Sequence, residues 1–310
     1  MKTFLMLLKR EYWEHQTSMI KAPIGLGIAL TVFTVLSMML GIGHLRDIPV
    51  GFPLRTVPLS TDVAQIACQS ILFGVSTIFN TVLLIVISYY SLSALFEERK
   101  DRSILFWKSL PISETNMVVA KLFTALVVTP VAAWVVMMLT GLIGLVLGTI
   151  SLAIAGTSTL ALWQIGTILS SWTDLFLRLF LQSLALFPFV AWLMLCSAYA
   201  KRSPFLYAIL LPIVLVILEK MLMPFNVISR FVGYQYQHLF IFWNSSIMLK
   251  THSNLRKLEL SVKGAAFEKP FALLTNFHGL LQSPYYWFSM GVGAVFICLA
   301  IFIRERRYEC

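Results

Sequence analysis

A chain of 310 residues in which 58% of side chains are hydrophobic and 12% charged, at a mean hydropathy of +0.83, is unlike a soluble domain, where charged residues make up about a quarter. The composition is that of a polytopic membrane protein with no polar stretch able to build a separate globular core, and the net charge of +10 follows from topology rather than from nucleic-acid binding. Cys68, Cys196, Cys298 and Cys310 are scattered without metal-ligand or redox spacing, which argues against a zinc site or a disulfide framework.

Residues 1–20 begin with an apolar patch that ends at Lys9, Arg10 and Glu11. The patch is too short for a signal-peptide core and is expected to be retained. Leu5, Leu8 and Tyr12 fall on one side of a helix, and Arg10 and Glu14 pair at i,i+4 on another; Leu7 and Trp13 lie off the stripe. The expectation is an interfacial helix along the inner membrane face.

Six segments then reach the roughly 20 apolar residues that a crossing needs: Ala22 to Gly43, Gln69 to Leu95, Val118 to Gly148, Leu175 to Ala200, Phe205 to Met223 and Tyr285 to Ile303. Both termini and the connections rich in Lys and Arg fall on one side, which the positive-inside rule makes cytoplasmic; 14 of the 24 basic residues collect there. The moderately apolar stretch Thr149 to Trp172 would invert this pattern if it crossed, so it is read as an outer connector or interfacial helix, with Trp163 and Trp172 at headgroup level. His44 to Ala67 carries Pro49, Pro53 and Pro58 and is expected to be an outer loop. Residues 224–284 form a longer outer segment, in which Phe271 to Leu281 is apolar yet too short to span and is read as re-entrant or interfacial. The fold class is therefore all-α, a single polytopic membrane domain over residues 1–310.

One charged run breaks this pattern, the connection 97–117 between the second and third spans. Glu97, Glu98, Arg99, Lys100, Asp101 and Arg102 carry the second span into water. Ser103 can cap a short helix, Ile104 to Ser109, which stops before Pro111, and Ser113 is placed to cap the helix that follows. Ile104, Leu105, Phe106 and Trp107 are thereby displayed between charges, with Lys108 beside them. They either lie in the headgroups or plug into a groove on a soluble partner, since aromatic anchors ringed by charge are common in interface cores.

This arrangement resembles the membrane subunit of ATP-binding-cassette exporters of the type-2 permease family, in which a run of mixed charge after the second span leads to a short helix, a Leu/Pro/Ser turn and a lysine opening the third span. Here those positions are Glu97 to Arg102, Ile104 to Trp107, Leu110 to Ser113, and Lys121. The resemblance implies a short helix docked on a separate ATP-binding subunit, a second permease subunit as homodimer or close heterodimer, contact with membrane lipids, and a bacterial inner-membrane location. It implies export of an amphipathic, lipid-linked or drug-like substrate. The chain has no GxxxxGK[ST] loop, so ATP and Mg would be held by the partner, and no cofactor or enzyme activity is expected in this chain. The partner-coupling residues under this reading are Glu97, Glu98, Arg99, Asp101, Arg102, Ile104, Leu105, Phe106, Trp107 and Lys108, and charge reversal at Glu98 and Arg99 is expected to uncouple or release the partner. A membrane anchor that recruits a soluble protein without transport is the alternative.

Elsewhere, Asp174 and Arg178 are four residues apart at the start of the fourth span and form either a structural ion pair or a contact on the substrate path. Glu219 and Lys220 are expected to snorkel at the outer end of the fifth span. His44, His238, His252 and His278 are not at ligand spacing, so no metal site is assigned. Gly141, Gly144 and Gly148 allow close helix packing, within the chain or between subunits, and Pro130, Pro188 and Pro212 are expected to kink their spans.

Overall fold

The computed structural model describes residues 2–39, 61–101, 113–154, 163–222, 226–239, 282 and 284–306. They form helices α1 (Lys2–Glu14), α2 (Ala22–Met39), α3 (Thr61–Ser93), α4 (Phe96–Lys100), α5 (Glu114–Phe123), α6 (Thr129–Ile154), α7 (Ile165–Tyr199), α8 (Pro204–Leu222), α9 (Val227–Leu239) and α10 (Pro284–Arg306). Two π-helical turns, Thr17–Lys21 before α2 and Thr124–Val128 between α5 and α6, interrupt otherwise continuous helices. Six stretches are long and apolar enough to cross a membrane: Thr17–Ser37, Gly74–Lys100, Glu114–Ser151, Ile165–Tyr199, Pro204–Leu222 and Pro284–Arg306. These match the six expected spans, because apolar length alone determines them.

Their ends differ from expectation. Of the stretch Thr149 to Trp172, read as an outer connector or interfacial helix, the residues to Ile154 continue α6 and those from Ile165 begin α7, while 155–162 lie outside the described residues. Of the outer loop expected over His44 to Ala67, residues 61–67 instead form the first turns of α3, and its remainder and the apolar stretch 271–281 lie outside the described residues.

Helix α7 is the axis of the bundle. Its apolar stretch is 67% buried, against 11% for α8, and it packs against α3, α6, α8, α9 and α10. The main core joins Leu83, Ile87 and Tyr90 of α3 with Leu179, Leu186, Val190 and Met194 of α7 and Ile297 of α10. Small residues set the closest approaches. A Cβ on Gly141 would lie 2.8 Å from Leu72, and Gly144 and Gly148 both face Ile71, so this glycine line seats α6 on α3 of the same chain rather than on another subunit. A Cβ on Gly293 would meet the Phe187 ring at 2.7 Å and the Pro188 backbone at 3.0 Å, which fixes how closely α10 lies on α7.

The prolines leave carbonyls without their usual i+4 donor, and α7 supplies replacements. Pro130 cannot donate to Leu126 O, which lies in the π-turn; the Ser183 hydroxyl donates to it instead. Pro212 cannot donate to Ala208 O, and Trp192 Nε1 donates to it at 3.2 Å. In an apolar medium such groups need an internal partner. Two proline-bearing neighbours are thus latched onto one central helix.

At one end of the bundle, Glu219 near the end of α8 accepts the N–H groups of Ile228 (2.6 Å) and Ser229 (2.8 Å) and so caps α9, in place of the expected snorkelling. Phe231–Phe288 and Tyr234–Tyr285 ring contacts, each with centroids 6.1 Å apart, set α9 beside the start of α10. The opposite end gathers α1, α4, the start of α5 and the last turns of α7 and α10. This is the charged end of the bundle.

Candidate site: a buried ion cluster at the charged end

Helix α3 breaks at Ala94–Leu95 and restarts as α4. The break exposes the N–H groups of Leu95 and Phe96, and Ser197 Oγ of α7 accepts both, at 3.1 and 3.0 Å. From α4, Arg99 Nη2 reaches back to Ser197 O (2.5 Å) and Ala200 O (2.8 Å), satisfying carbonyls at the C-terminus of α7, where a cation also meets the negative end of the helix dipole. The second and fourth spans are therefore joined where the charged segment begins. Ser113 caps α5 as expected, accepting Asn116 N–H at 3.3 Å.

Between these roots lies a cluster of buried charge. Glu98 points into the bundle: its Oε1 pairs with Lys121 Nζ (3.1 Å) and Arg10 Nη2 (3.4 Å), its Oε2 with Arg304 Nη2 (2.8 Å). Lys121 Nζ also donates to Glu11 Oε1 at 2.8 Å, and the Tyr90 hydroxyl donates to Glu11 Oε2 at 2.9 Å. His15 stacks edge-on against Tyr90 with centroids 4.9 Å apart, and its Nε2 lies 3.8 Å from Glu11 Oε2. Arg304 Nε pairs with Glu114 Oε2. Glu11, Glu98, Lys121 and Arg304 are 2–4% exposed. Lys121, Arg304 and Arg10 match the carboxylates Glu11, Glu98 and Glu114, and Arg10 is shared with the exposed Glu14. Desolvated charges persist only when so matched, since removing one partner of a buried pair costs about 3–5 kcal/mol.

Helix α1 enters the cluster by a different face from the one its apolar stripe suggests. Leu7, expected off the stripe, is buried against Met117 and Ala120 with Phe4 and Leu8 beside it. Phe4, Leu7, Leu8, Glu11 and His15 line the packed side, while Leu5, Met6, Tyr12 and Trp13 are exposed on the other. The Arg10–Glu14 pair forms as expected, at 3.1 Å.

Of the residues expected to couple to a partner, Glu98 is spent on the cluster and Arg99 on the end of α7; Glu97 is half-buried and Asp101 exposed. Arg102, Ile104, Leu105, Phe106, Trp107 and Lys108 lie outside the described residues. Reversing Glu98 or Arg99 would therefore disturb the bundle itself, which makes Asp101 and Trp107 cleaner probes of a partner. Asp174 and Arg178 form their pair, Oδ2–Nε 2.8 Å, with Arg178 7% exposed. Arg178 lies nineteen residues before Ser197 on α7, about 28 Å away along the helix, and is not part of the cluster.

Sequence reasoning did not place Glu11, Tyr90, Glu114, Ser197 and Arg304 at this site, and used Lys121 only as a motif position. Lys121 and Arg304 carry a sequence signal, a charge within or at the end of an apolar stretch, whereas nothing in the sequence marks Glu11, Tyr90, Glu114 or Ser197. Among the described residues no group of three or more His, Cys, Asp or Glu is arranged to hold a metal. Comparison with known protein families, curated proteins and solved structures finds no match to this chain.

Proposed function

We propose that the chain is the permease subunit of an ATP-driven exporter, in which a separate ATP-binding subunit acts on the segment between α4 and α5. One observation supports this most: both roots of that segment, Glu98 and Glu114, are bound through buried charges to helices far away in sequence. A force on such a segment is passed into the bundle instead of being absorbed by a slack loop. The charge motif of Glu97 to Lys121 supplies the family reading, with ATP and Mg held by the partner and an amphipathic, lipid-linked or drug-like substrate moved by a pair of permease subunits.

Under this reading the charged end faces the cytoplasm of a bacterial inner membrane with both termini on that side, in keeping with the positive-inside rule. The exposed Leu5, Met6, Tyr12 and Trp13 of α1 lie in the membrane interface beside Lys9, the arrangement of an interfacial helix. Residues 224–284, which include α9, form the outer segment.

Copurification from the native membrane, followed by an ATPase assay in lipid with wild type and Trp107→Ala, tests the reading. The expected result is a nucleotide-binding partner whose turnover responds to the wild-type permease and not to the variant. A partner without ATPase activity would replace the proposal with the membrane-anchor alternative.

A further inference from the structure

Arg304 stands two residues from the end of α10, the last span, and nearly 200 residues beyond the charged segment in sequence. Its guanidinium nevertheless meets carboxylates on both sides of that segment: Nη2 lies 2.8 Å from Glu98 Oε2 on α4, and Nε pairs with Glu114 Oε2 at the first residue of α5. Nη2 also approaches Met117 Sδ at 3.9 Å, which keeps the group seated over the first turn of α5. The side chain is 3% exposed and Glu98 is 4% exposed, so solvent does not screen the contact. A planar guanidinium can serve two carboxylates at once in fixed directions, whereas an ammonium is a point charge on a flexible stem.

We propose that Arg304 is a positioning residue that staples both roots of the segment to the last span. A displacement of the segment then carries α10 along with α3 and α5. Because Gly293 of α10 is seated against Phe187 and Pro188, that motion bears on α7 at Pro188, on the axis of the bundle. The source of the displacement rests on the function proposed above; the staple is a property of this chain alone.

Two measurements separate the two ideas. In the first, hydrogen exchange is followed on the full chain in lipid nanodiscs without any partner. Arg304→Gln is expected to speed exchange in both 96–101 and 114–117 by about tenfold, the factor that about 1.4 kcal/mol of lost local stability produces. Arg304→Lys, which keeps the charge but not the fork, is expected to loosen one root and hold the other. Glu11→Gln serves as the control for general loosening of the cluster, and it is expected to spare 114–117. Unchanged exchange at both roots in the Gln and Lys variants, or equal loosening by Glu11→Gln, would overturn the staple. If Arg304→Gln does not accumulate, the Lys variant decides alone. In the second measurement, Arg304→Lys is reconstituted with the copurified ATPase, and the expected outcome is retained ATP hydrolysis with about tenfold less transport per ATP, a loss of coupling equivalent to about 1.4 kcal/mol. Full coupling would overturn the role of the staple in force transfer, whereas absence of any ATPase partner would overturn the proposed function and leave the first measurement standing.

Discussion

The middle of the bundle and its charged end face the same difficulty, polar groups in an apolar setting, and meet it differently. In the middle, two carbonyls freed by prolines each receive one donor from α7: Ser183 for Leu126 O and Trp192 for Ala208 O. These are single, neutral hydrogen bonds between neighbouring spans, and they share no partner. At the charged end, six charges from α1, α4, α5 and α10 share partners, so that Lys121 serves Glu11 and Glu98 while Arg304 serves Glu98 and Glu114. The first solution satisfies a carbonyl that a proline has freed; the second binds the ends of separate segments into one body. Local repair is what any bent membrane helix needs, whereas a shared cluster is costly to assemble and is useful where several elements must move together.

The sharpest test of this contrast is Lys121→Met. It leaves Glu11 and Glu98 facing each other without their common cation, and the expected loss is about 3–5 kcal/mol, seen as a lower midpoint of thermal unfolding in detergent. Lys121→Met combined with Glu11→Gln should recover part of that loss, because it removes an uncompensated charge. If the double variant is as unstable as the sum of the singles, the charges do not act as one cluster.

Next in size is Gly293→Ala. The added methyl would contact the Phe187 ring and the Pro188 backbone at 2.7–3.0 Å, and the backbone contact cannot swing aside. A cost of about 1–3 kcal/mol is expected from overpacking. The same change at Gly291, which has nothing within 4 Å, should be neutral or slightly stabilising through helix propensity. Equal effects at the two positions would mean that α10 does not pack on α7 through this face.

The two regions also differ in how far they can be read from sequence. The six spans follow from apolar length, and the Arg10–Glu14 and Asp174–Arg178 pairs follow from helical spacing, since both depend only on residues four apart. Ser113 was recognisable as a cap because its role is fulfilled three residues later, at Asn116. The cluster is another matter: Lys121 and Glu11 are 110 positions apart, and Arg304 and Glu114 are 190 apart. No period or spacing relates such residues; only the packing of α1 and of α10 on α5 brings them together. The stripe on α1 misled for a similar reason, since the helix has two apolar faces and the sequence does not say which one meets protein. Glu98 and Arg99 sit in a run that looks solvent-exposed, yet the break in α3 turns both toward the bundle. The carbonyl freed by Pro130 could be foreseen from the proline, but the identity of its donor could not.

That last point gives the gentlest way to sharpen the comparison. Ser183→Ala removes the donor to Leu126 O and leaves a buried carbonyl unpaired, for an expected cost of about 1–3 kcal/mol. Trp192→Phe removes the longer bond to Ala208 O while preserving much of the ring packing against Phe296, so about 0.5–1.5 kcal/mol is expected. Because each bond latches a different neighbour to α7, one on α5–α6 and one on α8, the two losses should add within about 0.5 kcal/mol when combined. Thermal unfolding of the single and double variants measures this directly. Strong non-additivity would show that the kinks of the two spans are coupled through α7, and the middle of the bundle would then behave like the charged end: as one linked body rather than a set of separate repairs.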